Sequence, residues 1–328
     1  MKLATLHSPH PDGRLVVVSR DLATMADAAA IAPHLRAALE AWDEVAPALQ
    51  ALSAELNAGR HAQAQTFDPS VCAAPLPRAP QWCDGSAFLN HGRLMEKAFN
   101  TEPMPDAQSV PLMYQGASDD FLGPHADVPL PSEADGIDFE GEFGVIVGPV
   151  PMAVAPADAL ASVRLLVQIN DWSLRTLGPR EMRSGFGFLQ AKPSSSFAPI
   201  ALTPDELGPA WRDGRVHLRL HVQWNGERFG EPHGGEMDFG FGELIAHAAR
   251  TRRLSAGTII GSGTVSNTDR AVGSACIAER RVLEILEHGA PHTAYMRFGD
   301  SVQMQARFEG RDETPFGRIA QRVVEARP

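Results

Sequence analysis

Apolar and polar residues alternate in short runs along much of the chain, a pattern that predicts β-strands. The clearest run covers residues 216–224, in which apolar and polar side chains alternate strictly, so one face of this strand would contact water. Asn225-Gly226 follows directly, a pair that favours a tight hairpin turn. Further strands are predicted at residues 3–6, 14–19, 143–147, 163–169, 258–260, 295–298 and 301–308.

A helical repeat stands out in the N-terminal part of the chain. Apolar residues recur at three- and four-residue spacing from Leu35 to Leu56, which predicts amphipathic helix interrupted near Pro47. Asp43 is placed to cap a second helix, and Gly59 to end it. Other helices are predicted at residues 156–164, 243–252 and 315–325.

This mixture of many strands and few helices predicts a β-rich α+β fold rather than a doubly wound sheet. We expect residues 1–70 to form a small N-terminal α+β domain and residues 71–328 the main, strand-rich domain. The prolines between residues 68 and 80 are typical of a linker or an extended entry into that domain. A length of 328 residues is ample for this arrangement.

Composition narrows the class of protein. The formal net charge of −11 and the lack of a long basic stretch argue against a nucleic-acid partner. The three cysteines form no C-x-x-C pair, which favours a reducing compartment over a disulfide framework. The first residues show no apolar signal-peptide core, and no apolar run is long enough to span a bilayer. We therefore expect a cytoplasmic protein without a membrane partner.

The first candidate chemistry is acidic. Glu140 and Glu142 are two residues apart, so on a strand they would share one face. Buried carboxylates this close repel each other unless a cation lies between them. Asp171 ends the apolar run 163–169 and could supply a third carboxylate. Such an all-oxygen set suits Mg²⁺, Ca²⁺ or Mn²⁺ rather than zinc, with a solvated edge strand as the alternative.

Several segments together resemble the fumarylacetoacetate hydrolase family over about residues 75–310. The segments are Asp138-Phe139-Glu140-Gly141-Glu142, Asn170-Asp171-Trp172-Ser173-Leu174-Arg175, Lys192 and Gly263-Thr264-Val265-Ser266. The resemblance implies a catalytic domain of the family's C-terminal type, a mixed β-sandwich or β-roll, beside the small N-terminal domain. It also implies dimerisation, bound Mg²⁺ or Ca²⁺, and substrates that are β-diketo or 2-oxo acids.

The resemblance further implies a role for individual residues. It implies metal ligands at Asp84, Glu140, Glu142 and Asp171, catalytic residues at His91, Glu279, Lys192 and Arg175, and substrate-binding residues at Tyr114, Ser196 and Thr264. His91 follows Asp84 by seven residues and would be the general base, oriented by Glu279. Two positions depart from the family pattern: Gly178 replaces a glutamine of the oxyanion hole, and Asn100 replaces a substrate-binding arginine. Both departures leave the acyl group of the substrate open.

The resemblance implies a metal-dependent hydrolase that cleaves a C–C bond in a β-diketo acid. We expect the substrate to be fumarylacetoacetate, cleaved to fumarate and acetoacetate in tyrosine and aromatic catabolism, by a homodimer. Alternatives on the same scaffold are an acylpyruvate or fumarylpyruvate hydrolase, an oxaloacetate decarboxylase, and a 2-oxo-enoate hydratase or isomerase. A third class is a non-catalytic binding protein stabilised by a metal.

Overall fold

A computed structural model describes residues 1–99, 102 and 104–327 of the chain. The strands are β1 (Lys2–Leu6), β2 (Arg14–Val18), β3 (Thr24–Asp27), β4 (Gln65–Thr66), β5 (Trp82–Gly85), β6 (Met113–Gly116), β7 (Val128–Leu130), β8 (Ile137–Asp138), β9 (Gly141–Val147), β10 (Val163–Asn170), β11 (Ser173–Leu174), β12 (Ser196–Phe197), β13 (Ala201–Leu202), β14 (Trp211–Arg212), β15 (Arg215–Val216), β16 (Arg219–Trp224), β17 (Glu227–Gly230), β18 (Ile259–Gly261), β19 (Ser301–Arg307) and β20 (Ile319–Glu325). The helices are α1 (Leu35–Glu40), α2 (Trp42–Asn57), α3 (Leu89–Phe99), α4 (Pro156–Leu160), α5 (Gly178–Ser184), α6 (Phe241–Ala248) and α7 (Ile277–His288).

The largest sheet runs in the order β4-β3-β2-β1-β13-β10-β9-β18-β5-β6, with β12 also paired to β10. All its pairs are antiparallel except β5 with β18, so the sheet is mixed. The N-terminal strands join it through β1 and β13, where Lys2 lies opposite Leu202. The expected β-rich α+β fold is confirmed, whereas a domain boundary at residue 70 stays a prediction.

A second sheet, in the order β17-β16-β19-β20-β7, packs against one face of the first. Phe143 and Val145 of β9 share a buried apolar cluster with Leu220 of β16 and Met304 of β19. Gln168 of β10 crosses this layer and joins the sheets, donating to the Met304 carbonyl at 3.1 Å. The opposite face of the large sheet is covered in part by α1 and α2.

The N-terminal helices follow the predicted amphipathic pattern, with Leu49 and Leu56 buried. Asp43 lies in the first turn of α2 rather than capping it, because the helix begins one residue earlier, at Trp42. Pro47 lies inside the helix, and Gly59 has a positive φ of 66° just after the C-cap. A residue without a β-carbon adopts that angle readily, so Gly59 ends the helix as expected.

Several predicted elements differ from the structure. The helix predicted at 315–325 is wrong, because residues 319–325 form β20, whose alternating buried side chains face the neighbouring sheet. The helix predicted at 156–164 ends at Leu160, since the following residues enter β10. Residues 295–298 contribute only a bridge at Met296, and the run 216–224 is broken between β15 and β16. Helices α3, α5 and α7 were not predicted.

Within the residues that the structure describes, no helix is both long and apolar enough to cross a membrane.

Candidate active site

Three carboxylates converge at one end of the large sheet. Asp84 lies in β5, Glu142 in β9, and Asp171 directly after β10. Because side chains alternate along a strand, Asp84 lies on the same face of β5 as Trp82. Glu142 of β9 pairs with Ile169 of β10, which lies two residues before Asp171. Oxygens of all three carboxylates lie within 4.8 Å of one another, and all three residues are buried. We call Asp84, Glu142 and Asp171 the acidic triad.

The acidic triad is electrostatically incomplete. Both carboxylate oxygens of Glu142 are buried, and neither accepts a hydrogen bond from the residues described. Burial, followed by repulsion from Asp84 and Asp171, raises the pKa of Glu142 well above its ordinary value. Burial and then the charge of Asp171 likewise raise the pKa of Asp84 to about 8. A hard divalent cation would satisfy these oxygens and cancel the repulsion, so the residues fit such an ion.

Glu140 has different partners. Its Oε1 accepts from Arg175 Nη2 at 2.6 Å, and its Oε2 accepts from Lys192 Nζ at 2.5 Å. Burial alone would raise the pKa of Glu140, but Lys192 and Arg175 outweigh it and hold that pKa below its ordinary value. Glu140 therefore lies beside the acidic triad, bound to two cations, and its predicted role as a metal ligand stays a prediction.

Asp171 is held by three donors. Lys192 Nζ and the Tyr114 hydroxyl both donate to its Oδ2, at 2.6 and 2.5 Å. Ser195 Oγ donates to its Oδ1 at 2.6 Å. Tyr114 reaches this point because β6 pairs with β5, which places it directly opposite Asp84. These contacts orient Asp171 firmly and leave few of its lone pairs free.

Ser196, predicted to contact substrate, does not line the pocket in this structure. Its hydroxyl accepts the Trp172 indole N–H at 2.9 Å and is fully buried. The neighbouring Ser195 faces the site instead, since successive side chains of an extended segment point to opposite sides. Gly178 begins α5 and is not among the residues that line the pocket. Asn100 lies outside the described residues.

His91 and Glu279 form a pair at the edge of the site. His91 Nδ1 lies 2.9 Å from Glu279 Oε2, with His91 24% exposed and Glu279 2% exposed. His91 belongs to α3 and Glu279 to the first turn of α7, and the two helices pack through Leu94 and Leu283. An ionised carboxylate only accepts hydrogen bonds, so Nδ1 carries the proton and Nε2 is left as the basic nitrogen.

Asp138 was missed as a site residue in the sequence. Its Oδ1 accepts the Ile277 N–H at 2.7 Å, and its Oδ2 accepts the Ala278 N–H at 2.8 Å, at the start of α7. The same Oδ2 accepts from Arg175 Nε at 2.8 Å. The signal that points to it is the alternation of acids at 138, 140 and 142, which marks one strand face.

Some of these groups line a pocket of about 580 Å³, whereas Glu142, Asp171 and Glu279 are not among its lining residues. The predicted site residues that line it are Asp84, His91, Tyr114, Glu140, Arg175, Lys192 and Thr264. Apolar side chains such as Leu89, Met104, Met182 and Phe188 also line it. The pocket thus joins a base, two cations and a carboxylate cluster with apolar surface, a combination suited to a small organic acid.

Two family descriptions match almost the whole chain. The description "Fumarylacetoacetate (FAA) hydrolase C-terminal" matches residues 81–324, and "Fumarylacetoacetase N-terminal domain 2" matches residues 1–78.

Curated relatives match part of the chain. Similarity to 2,4-didehydro-3-deoxy-L-rhamnonate hydrolase of Sphingomonas sp. is 29% identity over 165 residues, which is 49% of this chain and 54% of that protein. Similarity to the human mitochondrial oxaloacetate tautomerase FAHD2A is 26% over 195 residues, 58% of this chain and 57% of that protein. The chain therefore spans about half the length of the curated relatives that it matches.

Solved structures share the fold along the full chain. The fumarylacetoacetate hydrolase of Exiguobacterium antarcticum superposes with a TM-score of 0.67 at 19% identity, covering 100% of both chains. The maleylpyruvate hydrolase of Sphingobium sp. SYK-6, solved with manganese(II) and pyruvate, gives a TM-score of 0.64 at 17% identity, again covering 100% of both.

Proposed function

Because the chain belongs to the fumarylacetoacetate hydrolase family, we propose that it is a divalent-metal-dependent hydrolase that cleaves a C–C bond in a β-diketo acid. The observation that carries the proposal is that Asp84 of the acidic triad and His91 of the His91–Glu279 pair line one pocket. The proposed substrate is 4-fumarylacetoacetate, with fumarate and acetoacetate as products of tyrosine or other aromatic catabolism. We propose further that the enzyme is a cytoplasmic homodimer.

The proposed cofactor is Mg²⁺ or Ca²⁺, with Mn²⁺ as a third candidate. Asp84, Glu142 and Asp171 would hold it, and Glu140 is the proposed fourth ligand. Support comes from the all-oxygen donor set, from the unpartnered oxygens of Glu142, and from the manganese in a related structure. A bound divalent cation supplies Lewis acidity toward a substrate carbonyl oxygen.

His91 is the proposed general base. Its Nε2 would take a proton from water, whose oxygen then adds to the substrate carbonyl carbon. Glu279 holds the ring by Nδ1 and stabilises the cation that forms. When the C–C bond breaks, the leaving carbon keeps the bonding electrons and takes a proton back from Nε2. Water is consumed, and the histidine ends in its starting state.

Lys192 and Arg175 are proposed to stabilise the negative oxygen that develops on the substrate. Lys192 has three N–H donors, of which two are bound to Glu140 and Asp171. Arg175 has five, of which two are bound to Asp138 and Glu140. Each cation therefore keeps at least one donor for substrate while its position is fixed, which is the arrangement that favours a charged transition state. Tyr114 and Thr264 are proposed substrate contacts, since both line the pocket.

Loss of diketone absorbance, followed with and without a chelator, tests this proposal. We expect metal removal to abolish turnover and His91→Ala to lower kcat by about 10²–10⁴-fold, the usual contribution of a positioned base. His125→Ala, which changes an exposed histidine, is the matched control. Turnover that survives full metal removal, or that His91→Ala leaves unchanged, would contradict the proposal.

A tautomerase or isomerase is the second candidate. Several curated relatives are named oxaloacetate tautomerases, and a base such as His91 can move a proton beside a carbonyl without attacking it with water. Product analysis on fumarylacetoacetate, fumarylpyruvate, acetylpyruvate and oxaloacetate, each with Mg²⁺ and with Ca²⁺, separates the candidates. Two acids as products indicate hydrolysis, CO₂ indicates decarboxylation, and proton exchange without cleavage indicates tautomerisation.

A further inference from the structure

Arg93 is a pocket cation that the proposed chemistry leaves unused. Lys192 and Arg175 are bound to the site's carboxylates, but Arg93 donates no hydrogen bond to the part of the chain that the structure describes. The carboxylate within 4.0 Å of it is Asp238, whose Oδ1 lies 3.9 Å from Nη2, too far for a hydrogen bond. The other oxygen of Asp238 is engaged with the Leu89 N–H at 2.8 Å.

The helix that carries His91 places Arg93 on the wall of the same pocket. Leu89, Arg93 and Glu96 are spaced by four and three residues on α3, so they share one face, and all three line the pocket. Leu94 lies on another face, packed against α7. One helix therefore presents both the proposed base and a guanidinium to a single bound molecule, and its N-terminus is held by Asp238.

The charges near Arg93 favour a carboxylate that pairs with the guanidinium over other anions. Glu96 and Asp106 line the same pocket, and their carboxylates disfavour an anion that lacks its own cation. A guanidinium offers a planar fork of donors that matches the two oxygens of a carboxylate. Among the described residues that line the pocket, Arg93 is the cation free to make such a pair.

We propose that Arg93 binds a second carboxylate, at the end of the substrate away from the acidic triad, and so selects dicarboxylic 2-oxo and diketo acids over monocarboxylic ones. This inference rests on the proposed function for the 2-oxo end of the substrate. It narrows the substrate class, because acetylpyruvate lacks the second carboxylate, whereas fumarylacetoacetate and fumarylpyruvate carry it.

Binding of two matched acids tests the assignment without relying on turnover. The probes are 2-oxoadipate and 2-oxohexanoate, which share a 2-oxo acid head and a six-carbon chain and differ in the distal carboxylate. Calorimetry is run on the full chain in Mg²⁺ for the unchanged protein, Arg93→Ala, Arg93→Lys and Lys97→Ala. Lys97 is an exposed cation on the same helix that does not line the pocket, which makes it the control.

We expect the unchanged protein and Lys97→Ala to bind 2-oxoadipate more tightly than 2-oxohexanoate. Arg93→Ala should weaken the binding of 2-oxoadipate by about 10-fold. This is the lower end of the range for a charged hydrogen bond, because the Arg93 side chain is 53% exposed. Arg93→Lys should recover part of the lost affinity. The affinity for 2-oxohexanoate should change less than about twofold in Arg93→Ala, since the changed contact is absent from that ligand.

Equal affinity of the unchanged protein for the two acids, including no binding of either at millimolar concentration, would overturn the assignment. Equal weakening of both acids by Arg93→Ala would also overturn it, because a general disturbance of α3 acts on both. Failure of the proposed function has a separate signature, the absence of turnover on every diketo acid. In that case the ratio of the affinities for 2-oxoadipate and 2-oxohexanoate, compared between the unchanged protein and Arg93→Ala, still decides the role of Arg93.

Discussion

Arg175 and Asp138 form an ion pair, Nε to Oδ2 at 2.8 Å, that joins two parts of the candidate site. Through its other bonds Asp138 holds the first N–H groups of α7, the helix that carries Glu279. Through its second donor Arg175 holds Glu140. One buried carboxylate therefore holds both Arg175 and the helix that carries Glu279, the partner of the proposed base. The favourable field at a helix N-terminus also stabilises this carboxylate.

Asp138→Asn should weaken the connection between Arg175 and the start of α7. The amide keeps the size of the side chain but loses the charge opposite Arg175 and cannot accept with both ends. We expect the free energy of unfolding to fall by about 3–5 kcal/mol, typical of a broken buried pair, and kcat to fall more than KM rises. Urea unfolding and steady-state kinetics measure the two effects. An unchanged kcat would show that Asp138 does not position the site.

Glu142→Gln should have opposite effects on the metal-free and the metal-loaded protein. Removing one acid from a cluster with unpartnered buried oxygens relieves repulsion, so we expect a higher Tm in chelator. The same change removes a proposed ligand, so Mg²⁺ should no longer raise the Tm of the variant. In the unchanged protein, Mg²⁺ at 100 times its Kd should raise the free energy of unfolding by about 2.7 kcal/mol. A Tm that still rises with Mg²⁺ as in the unchanged protein would remove Glu142 from the ligand set.

Ser195→Ala and Ser196→Ala should differ in kind, although the residues are adjacent. Ser195 donates to Asp171, so its loss should weaken Mg²⁺ binding or activity by about 10–100-fold, as for other groups that orient a ligand. Ser196 accepts from Trp172 in the core, so its loss should cost about 1–3 kcal/mol of unfolding free energy with little change in KM. Metal titration and urea unfolding of both variants check this, and a reversed pattern would favour Ser196 as the site residue.

Asp12 and Arg78 should make stability depend on pH in the acid range. Arg78 donates to both oxygens of Asp12, at 2.9 and 2.8 Å, and this hydrogen bonding with the guanidinium charge holds the pKa of Asp12 below its ordinary value. Since the folded pKa is depressed, the stabilisation is present above the unfolded pKa, about 3.9, and is lost as pH falls through the folded value.

We therefore expect Asp12→Asn to lower stability at pH 7 and to make little difference at the lowest pH at which the protein stays folded. Urea unfolding at a series of pH values between 7 and 3 measures it, with the exposed Asp119→Asn as control. A deficit that stays constant down to acid pH would mean that Arg78 does not act on the charge of Asp12.

Only part of the candidate site was predicted from local patterns, and the remaining residues were implied by the family resemblance. Glu140 and Glu142 were predicted from their two-residue spacing on a strand, and Asp171 from the apolar run before it. These predictions needed no knowledge of the rest of the fold, because buried carboxylates require partners in any fold. The helix predicted at residues 315–325 is wrong, because Ile319, Gln321 and Val323 are buried with the period of two of a strand. Pairing with β19 and β7, which are distant in the sequence, decides that segment.

The amino-acid sequence by itself determined the β-rich fold class, the family and the types of residue available for chemistry, because these depend on periodicity and on motifs of neighbouring residues. Only the tertiary structure decided which of them meet. Packing of α3 on α7 brings Glu279 to His91 across 188 positions, and pairing of β5 with β6 brings Tyr114 to Asp171. It also bound Glu140 to Lys192 and Arg175, and among the described residues it left Arg93 without a hydrogen-bonded carboxylate. Such long-range contacts arise from the burial of whole surfaces, which no short stretch of sequence encodes.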